Sequence, residues 1–110
     1  MLQLLKPGQV WFAWFPFAEN QNKGKDRPIL VLDVENDHVS VWGMKITKSA
    51  PHDRDDFVLS DWQDIPLPRQ STISPKNCFK IHIRQLRRYV GMLSERDWNR
   101  TMEAIEALYH

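Results

Sequence analysis

The chain has one cysteine in 110 residues, so no internal disulfide can stiffen it and its stability must come from a hydrophobic core. The lone thiol, Cys78, suits a reducing compartment, and a cytoplasmic protein is the reading that follows. Long apolar runs are missing as well. No stretch approaches the roughly 20 residues that a membrane-spanning helix requires, and the opening "MLQLLKPG" is interrupted by Lys6-Pro7-Gly8 before it could form a signal-peptide core. The whole chain therefore reads as mature and soluble, with no membrane partner. Nor is there an excess of charge of either sign. Fifteen Lys and Arg stand against 14 Asp and Glu, a net charge of +1, so only the local distribution of charge can argue for an anionic partner. The four histidines, His38, His52, His82 and His110, show no metal-ligand spacing, and one cysteine cannot complete a zinc site. With only four glycines, the chain holds no phosphate-binding Gly-rich loop, dinucleotide fingerprint or nucleophile elbow. Neither a metal nor an organic cofactor is expected.

What is present is β-forming. The length suits one domain, residues 1–110, with a single modest core. "PGQVWFAWFPF" (7–17) begins at a Pro-Gly turn and runs through Val10, Trp11, Phe12, Trp14 and Phe15, a composition suited to a well-covered strand that Pro16 ends. Residues 18–26, "AENQNKGKD", read as a long exposed loop. "PILVLDV" (28–34) and "HVSVWGMKIT" (38–47), joined by the turn Glu35-Asn36-Asp37, read as a hairpin, with Gly43 marking a bulge or bend. The section 48–77 is broken by Pro51, Pro66, Pro68 and Pro75, with short strand pieces at "DFVLS" and "STI". "CFKIHI" (78–83) alternates apolar and polar residues as a half-exposed strand does. Ser94 followed by Asp97 resembles a capping box, and Trp98, Met102, Ile105 and Leu108 recur at helical spacing to the end, roughly four turns. Five to seven short strands and one C-terminal amphipathic helix describe a mostly β protein, a small bent antiparallel barrel with a helix packed on it. Five tryptophans and many Phe and Ile exceed what so small a barrel hides, which points to a homodimer.

The charges are segregated. From Arg69 to Leu93 there is no Asp or Glu, whereas residues 53–64 carry Asp53, Asp55, Asp56, Asp61 and Asp64 against Arg54 alone. Two readings stand side by side: an anion-binding groove beside an acidic rim, or two segments that neutralise one another. Lys23, Lys25 and Arg27 surround Gly24, and three cations there could follow a phosphate backbone while the glycine lets it approach closely. Arg27 stands next to Pro28 at the mouth of a buried strand, where its rigid fork can hold a phosphate bidentately, unless a carboxylate such as Asp56 or Asp61 claims it. "KITKS" (45–49) ends the third strand with Thr47 and Ser49 among lysines, and hairpin pairing would bring that end beside Arg27.

In their order, "PGQVWFAWFPF", "RPILVLD", "KITKS", "DFVLSDW", Ser71 in "LPRQST" and "VGMLSERDW" resemble the MazF/PemK family of toxins from bacterial type II toxin–antitoxin systems. That resemblance implies an SH3-like barrel with a C-terminal helix, a homodimer, metal-independent cleavage of single-stranded RNA, and a cognate antitoxin partner. It implies catalytic roles for Arg27 and Thr47; Lys23, Lys25, Lys48, Ser49 and Lys76, the cations and hydroxyl read from the segments around them, are expected to contact RNA. The sequence departs from the family twice. Glu19 is only an approximate counterpart of an acidic residue in the first loop, and after Ser71 the segment "STISPKN" puts Ser74 and Lys76 where some members carry an acid–base pair. A different class of function, a catalytically silent nucleic-acid- or protein-binding barrel, would keep the scaffold without the chemistry.

Overall fold

Eleven consecutive residues from Gly24 to Val34 form one strand, and the other elements are arranged around it. The computed structural model describes residues 5–67 and 69–109; the first four residues of "MLQLLKPG", Pro68 and His110 lie outside them. The strands are β1 (Gln9–Pro16), β2 (Gly24–Val34), β3 (Ser40–Thr47), β4 (Phe57–Val58), β5 (Thr72–His82) and β6 (Leu86–Met92), followed by helix α1 (Glu95–Tyr109). Short 3₁₀ turns at Trp62–Asp64 and Ile83–Gln85 precede β5 and β6. All six strands join one antiparallel sheet in the order β4-β5-β3-β2-β1-β6. The molecule measures 34 × 31 × 30 Å, so this single sheet is wrapped rather than flat. Its two ends approach through the segment after β4: a Cβ placed on Gly91 of β6 would lie 3.3 Å from the Ile65 side chain.

Strand alternation distributes the apolar residues between two clusters. Val10, Leu30, Met44 and Ile46 meet Phe57, Leu59, Ile65, Ile73 and Leu93 on one face, where Trp98, Ala104 and Ile105 of α1 cover them. Ala13, Ile29, Val31, Val41 and Ile81 form the second cluster on the other face, with Trp11, Phe15 and Phe79 at its margin. "PILVLDV" is an unbroken apolar run because both faces of β2 are buried. A register shift between Val31 and Asp33 places two residues of β2 against one of β3, after which Val34 rejoins the second cluster. The irregularity expected at Gly43 thus sits in the neighbouring strand. Gly43 itself serves packing, since a Cβ there would lie 3.1 Å from the Phe79 ring and 3.2 Å from Ile29.

Three boundaries differ from the sequence reading. β2 begins at Gly24 and not at Pro28, because Pro16↔Gly24 through Val10↔Leu30 all pair with β1, and the expected loop shrinks to the turn at 17–23. "STI" and "CFKIHI" belong to one strand, β5, interrupted by a register shift around Pro75. β6 is a strand that the sequence conceals: two consecutive exposed arginines break the alternation that would reveal it, and the pairing with β1 is itself irregular there.

Buried hydrogen bonds fasten α1 to the segment after β4. The Ser94 hydroxyl accepts from the Asp97 amide (3.2 Å), the first half of a capping box. The Asp97 carboxylate does not reach back. It is fully buried and accepts from the amides of Ser60 (2.9 Å) and Asp61 (2.8 Å). Asp61 in turn accepts from the Ser94 hydroxyl (2.6 Å) and from Arg96, and these partners, the guanidinium first, hold its pKa below the ordinary value. At the β2–β3 turn, Asp37 accepts from the Val39 and Ser40 amides (2.9 Å each) and the Ser40 hydroxyl (2.8 Å), which lower its pKa from 3.8 to about 2.

These carboxylates should be visible in stability measurements. Asp97→Ala strands two backbone donors, one of them beside the buried Leu59, and should cost about 3 kcal/mol in urea unfolding. Asp97→Asn, which still offers one acceptor, should cost less. Asp37 and Asp61 favour their charged forms in the folded chain, so the stability they add is complete above about pH 4 and is lost as pH falls towards the folded value, about 2 for Asp37. The melting temperature should drop between about pH 4 and pH 2, and Asp37→Asn should flatten that drop; an unchanged slope would count against the turn as its source.

Candidate active-site groove

Proline decides where the sheet opens. The Gly8 amide donates to the Val31 carbonyl (2.9 Å), so the odd residues in this part of β2 turn their backbone polar groups towards β1 and the even ones towards β3. Pro28 occupies an even position and has no N–H to give. The β2–β3 pairing ends at Ile29↔Lys45, and β3 goes on to pair with β5 through Ile46↔Ile73 and Thr47↔Thr72. Residues 24–28 of β2 remain held by β1 on one side only, with Arg27 opposite Ala13. Their other edge faces a groove of about 910 Å³.

Arg27 and Thr47 both line this groove. Continuing the register of Ile29↔Lys45 by two residues sets them across from each other. Arg27 is exposed, and among the described residues its side chain has neither a hydrogen bond nor an ion pair. The carboxylates that might have claimed it are engaged elsewhere: Asp61 by Arg96 and Ser94, and Asp56 by the amides of His52 (3.1 Å) and Asp53 (3.2 Å). Thr47 Oγ1 accepts from the Ser49 amide (3.2 Å), which leaves its own hydrogen available to donate. Lys25, Lys48 and Ser49 also line the groove. Lys25 and Arg27 are two apart in the strand and share a face, while Asp26 takes the opposite one.

Two expected contacts lie elsewhere. Lys23 closes the base of the β1–β2 turn, its backbone engaged with Phe17 and Asn20, and is not among the groove residues. Lys76, within the β5 irregularity, pairs with Asp55 (3.2 Å) and is not among the groove residues. For that pair the neutralising reading of the segregated charge holds. The glycine between the lysines has an internal role: a Cβ on Gly24 would collide with the Phe15 carbonyl and lie 2.6 Å from the Trp14 indole, so its missing side chain makes room for β1.

The groove contains residues that the sequence did not single out for it. Lys45 and Arg69 raise its cations to five, with Lys25, Arg27 and Lys48, against the single carboxylate Asp26. Lys45 was legible in principle, lying two residues before Thr47 on the same strand. Arg69 belongs to the acid-free stretch and reaches the groove because buried Ile65 and Leu67 anchor the chain just before it. Ser71 is nearly buried, its hydroxyl donating to the Arg69 carbonyl (3.1 Å). Phe12, Phe15 and Phe79 supply aromatic surface beside these polar groups. Cations along an open strand edge with aromatic rings between them can hold phosphates and stack bases at the same time.

Comparison with solved structures finds the same fold in several proteins. The Mycobacterium tuberculosis toxin MazF-mt6 superposes with a TM-score of 0.71 at 22% identity, covering 92% of this chain and 95% of that one. MazF from Deinococcus radiodurans gives 0.71 at 17% identity, with 97% of each chain covered. An endoribonuclease in complex with its cognate antitoxin, from a mycobacterial species, gives 0.72 at 14% identity, covering 94% and 92%. At such identities the likeness is one of fold. A comparison with curated protein sequences finds no match. The family model for the PemK-like, MazF-like toxin of type II toxin–antitoxin systems matches residues 6–109. Nearly the whole chain, groove included, falls within that match, and the protein belongs to the PemK-like, MazF-like toxins of type II toxin–antitoxin systems.

Proposed function

We propose that the chain is an endoribonuclease that cleaves single-stranded RNA through the groove around Arg27. The observation that carries this reading is the Arg27 side chain, without a partner among the described residues and borne on a backbone held by the β1 ladder, lining the same groove as Thr47 at an edge bearing five cations and one carboxylate. The ribose 2′-oxygen attacks the adjacent phosphorus, its bond to phosphorus forms, and the bond from phosphorus to the 5′-oxygen breaks. The 2′-hydroxyl proton passes to solvent water, and solvent water supplies the proton taken up by the departing 5′-oxygen, leaving a 2′,3′-cyclic phosphate and a 5′-hydroxyl. Negative charge grows on the phosphoryl oxygens as this happens. Arg27 donates to them from a backbone position set before the substrate arrives, and Thr47 adds a neutral donor to the phosphate. Lys25 and Lys48 neutralise flanking phosphates, with Ser49 beside them. The positive charge that a metal would otherwise supply comes from these side chains, so the reaction proceeds without one.

Family members with an acid–base pair after Ser71 place it where this chain has Ser74, which is buried, and Lys76, which is paired with Asp55. Catalysis here relies on electrostatic stabilisation by Arg27 and the hydroxyls. The acidic tail of a cognate antitoxin would meet the same cationic groove, and the solved mycobacterial endoribonuclease is itself bound to its antitoxin. A homodimer accounts for Trp42 (39% exposed) and Tyr109 (56%), which flank an apolar depression of about 500 Å³ with Leu32, Met102 and Ile105. Among the described residues no helix is long and apolar enough to cross a membrane. An RNA substrate supports a cytoplasmic site of action.

Purified protein should cut a long RNA in EDTA. Arg27→Ala should lower that rate roughly 10²- to 10³-fold, the usual effect of removing one preplaced donor, with urea unfolding unchanged. Lys76→Ala should leave the rate near normal. Wild-type protein that binds RNA in EDTA without cutting it would instead identify the silent binding barrel. Sedimentation at micromolar concentration should give twice 13.1 kDa, and a 13.1 kDa species alone would remove the dimer.

A further inference from the structure

Two arginines outside the groove are unused by the proposed reaction. Arg87 and Arg88 are consecutive residues of β6, the edge strand beside β1, and consecutive strand residues normally point to opposite faces. Here the register runs Phe12↔Arg88 and then Ala13↔Leu86, so Arg87 is an extra residue in a bulge. The bulge turns both side chains to one face. Arg88 lies over the Phe12 ring (4.8 Å) and Arg87 over the Trp14 ring (5.5 Å), and Phe12 and Trp14 are alternate residues of β1 sharing that face. Phe12 and Asp26, its neighbour on that face, also line the groove, so this face meets the groove at its rim, on the side of the sheet opposite Lys25 and Arg27.

Resting on the RNA reading of the groove, we infer that the cation–π pairs Arg88–Phe12 and Arg87–Trp14 form a second nucleotide subsite that receives the RNA strand as it leaves the groove around the open β2 edge and leads it, on the face of β1 opposite Arg27, to the β6 edge. Both arginines are exposed, and among the described residues neither has a hydrogen bond or an ion pair. Their donors are unspent. A guanidinium held over an aromatic ring has less freedom to lose on binding, and its plane can take a base while its N–H groups reach a phosphate. From Ile65 to Ser94 the chain has no acidic residue that could compete. The nearest carboxylate in register is Asp26, opposite Trp14 on β2. Its charge keeps phosphates off the β2 side, so the backbone runs along the β6 rim with bases turned inwards onto the guanidinium planes. Two interstrand steps, about 10 Å, separate β6 from β2, which makes this a site for nucleotides flanking the cleaved linkage.

The test uses 2′-O-methyl RNA, which lacks the attacking hydroxyl, and fluorescence anisotropy with a trinucleotide and a dodecamer. Arg87→Ala/Arg88→Ala should weaken the dodecamer on the order of tenfold or more and leave the trinucleotide unchanged, since stacking is worth about that much per base. The slope of log affinity against log salt should become shallower by about 0.7 for each phosphate the variant no longer neutralises. Arg87→Lys/Arg88→Lys keeps the charge without the planar face, so it should retain the slope while losing part of the affinity. Unchanged dodecamer binding by both variants, with or without aggregation through the exposed β6 edge, would overturn the subsite while leaving the groove intact. So would loss of poly-glutamate binding alone, which would assign the patch to an acidic protein segment. Wild-type protein that binds neither RNA would overturn the groove reading and the subsite together.

Discussion

The missing amide hydrogen of Pro28 is the constraint on which the site depends. A strand in the middle of a sheet ordinarily uses both edges, and β2 does so from Ile29 onwards, pairing with β1 and β3 alike. At Pro28 the edge towards β3 loses a donor, and β3 leaves to complete its ladder with β5. Residues 24–28 keep the rigidity of a paired strand through β1 and gain the open edge of an unpaired one. An arginine in that position is both fixed and available. The same residue on a mobile loop would surrender part of its interaction energy to ordering, and in the interior of the sheet it would need a carboxylate partner to be tolerated.

The opposite wall is built by a different device. Asp97 reaches from α1 to two amides of the segment after β4, and Asp61 reaches back to Ser94 and Arg96, so the helix start and the chain leaving β4 form one locked unit. From that lock the chain passes through Ile65 and Leu67, both buried, and arrives at Arg69 and Ser71 in the groove. Leu59 donates its amide to the Ser71 carbonyl (2.9 Å), tying the end of this excursion to its beginning. The C-terminal helix therefore acts on the site at a distance, by fixing the course of a segment otherwise made largely of turns. This is a role in positioning, separate from the cover it gives the hydrophobic core.

The local parts of this design were legible in sequence. Arg27 before a proline, Thr47 at the end of a strand, and the helix begun by Ser94 each depend on near neighbours whose chemistry the chain displays. Long-range dependence hid the rest. β6 was obscured because its arginines are stacked on Trp14 and Phe12, rings far earlier in the chain, through a bulge that erases the alternation. Lys76 looked like a groove cation until the irregularity at Pro75 turned it towards Asp55. Gly24 looked like an allowance for a ligand, yet its neighbour is the Trp14 indole across the ladder. In each case the deciding partner was set by register, which a single sequence does not print.

Register also explains how a chain with a net charge of +1 can present a strongly cationic site. Three ion pairs, Lys76–Asp55, Lys80–Glu35 and Arg96–Asp61, occupy acidic residues away from the groove, and Asp37 is absorbed by its own turn. The groove cations and the two stacked arginines of β6 are left without such partners among the described residues. A partner approaching from afar meets an almost neutral molecule, with little long-range steering at physiological ionic strength. Only at close range does it meet clustered guanidinium and ammonium groups set among aromatic rings. Affinity must then come from simultaneous contacts with successive phosphates and bases, and that favours a flexible single strand, which can follow the bent sheet, over a stiff duplex.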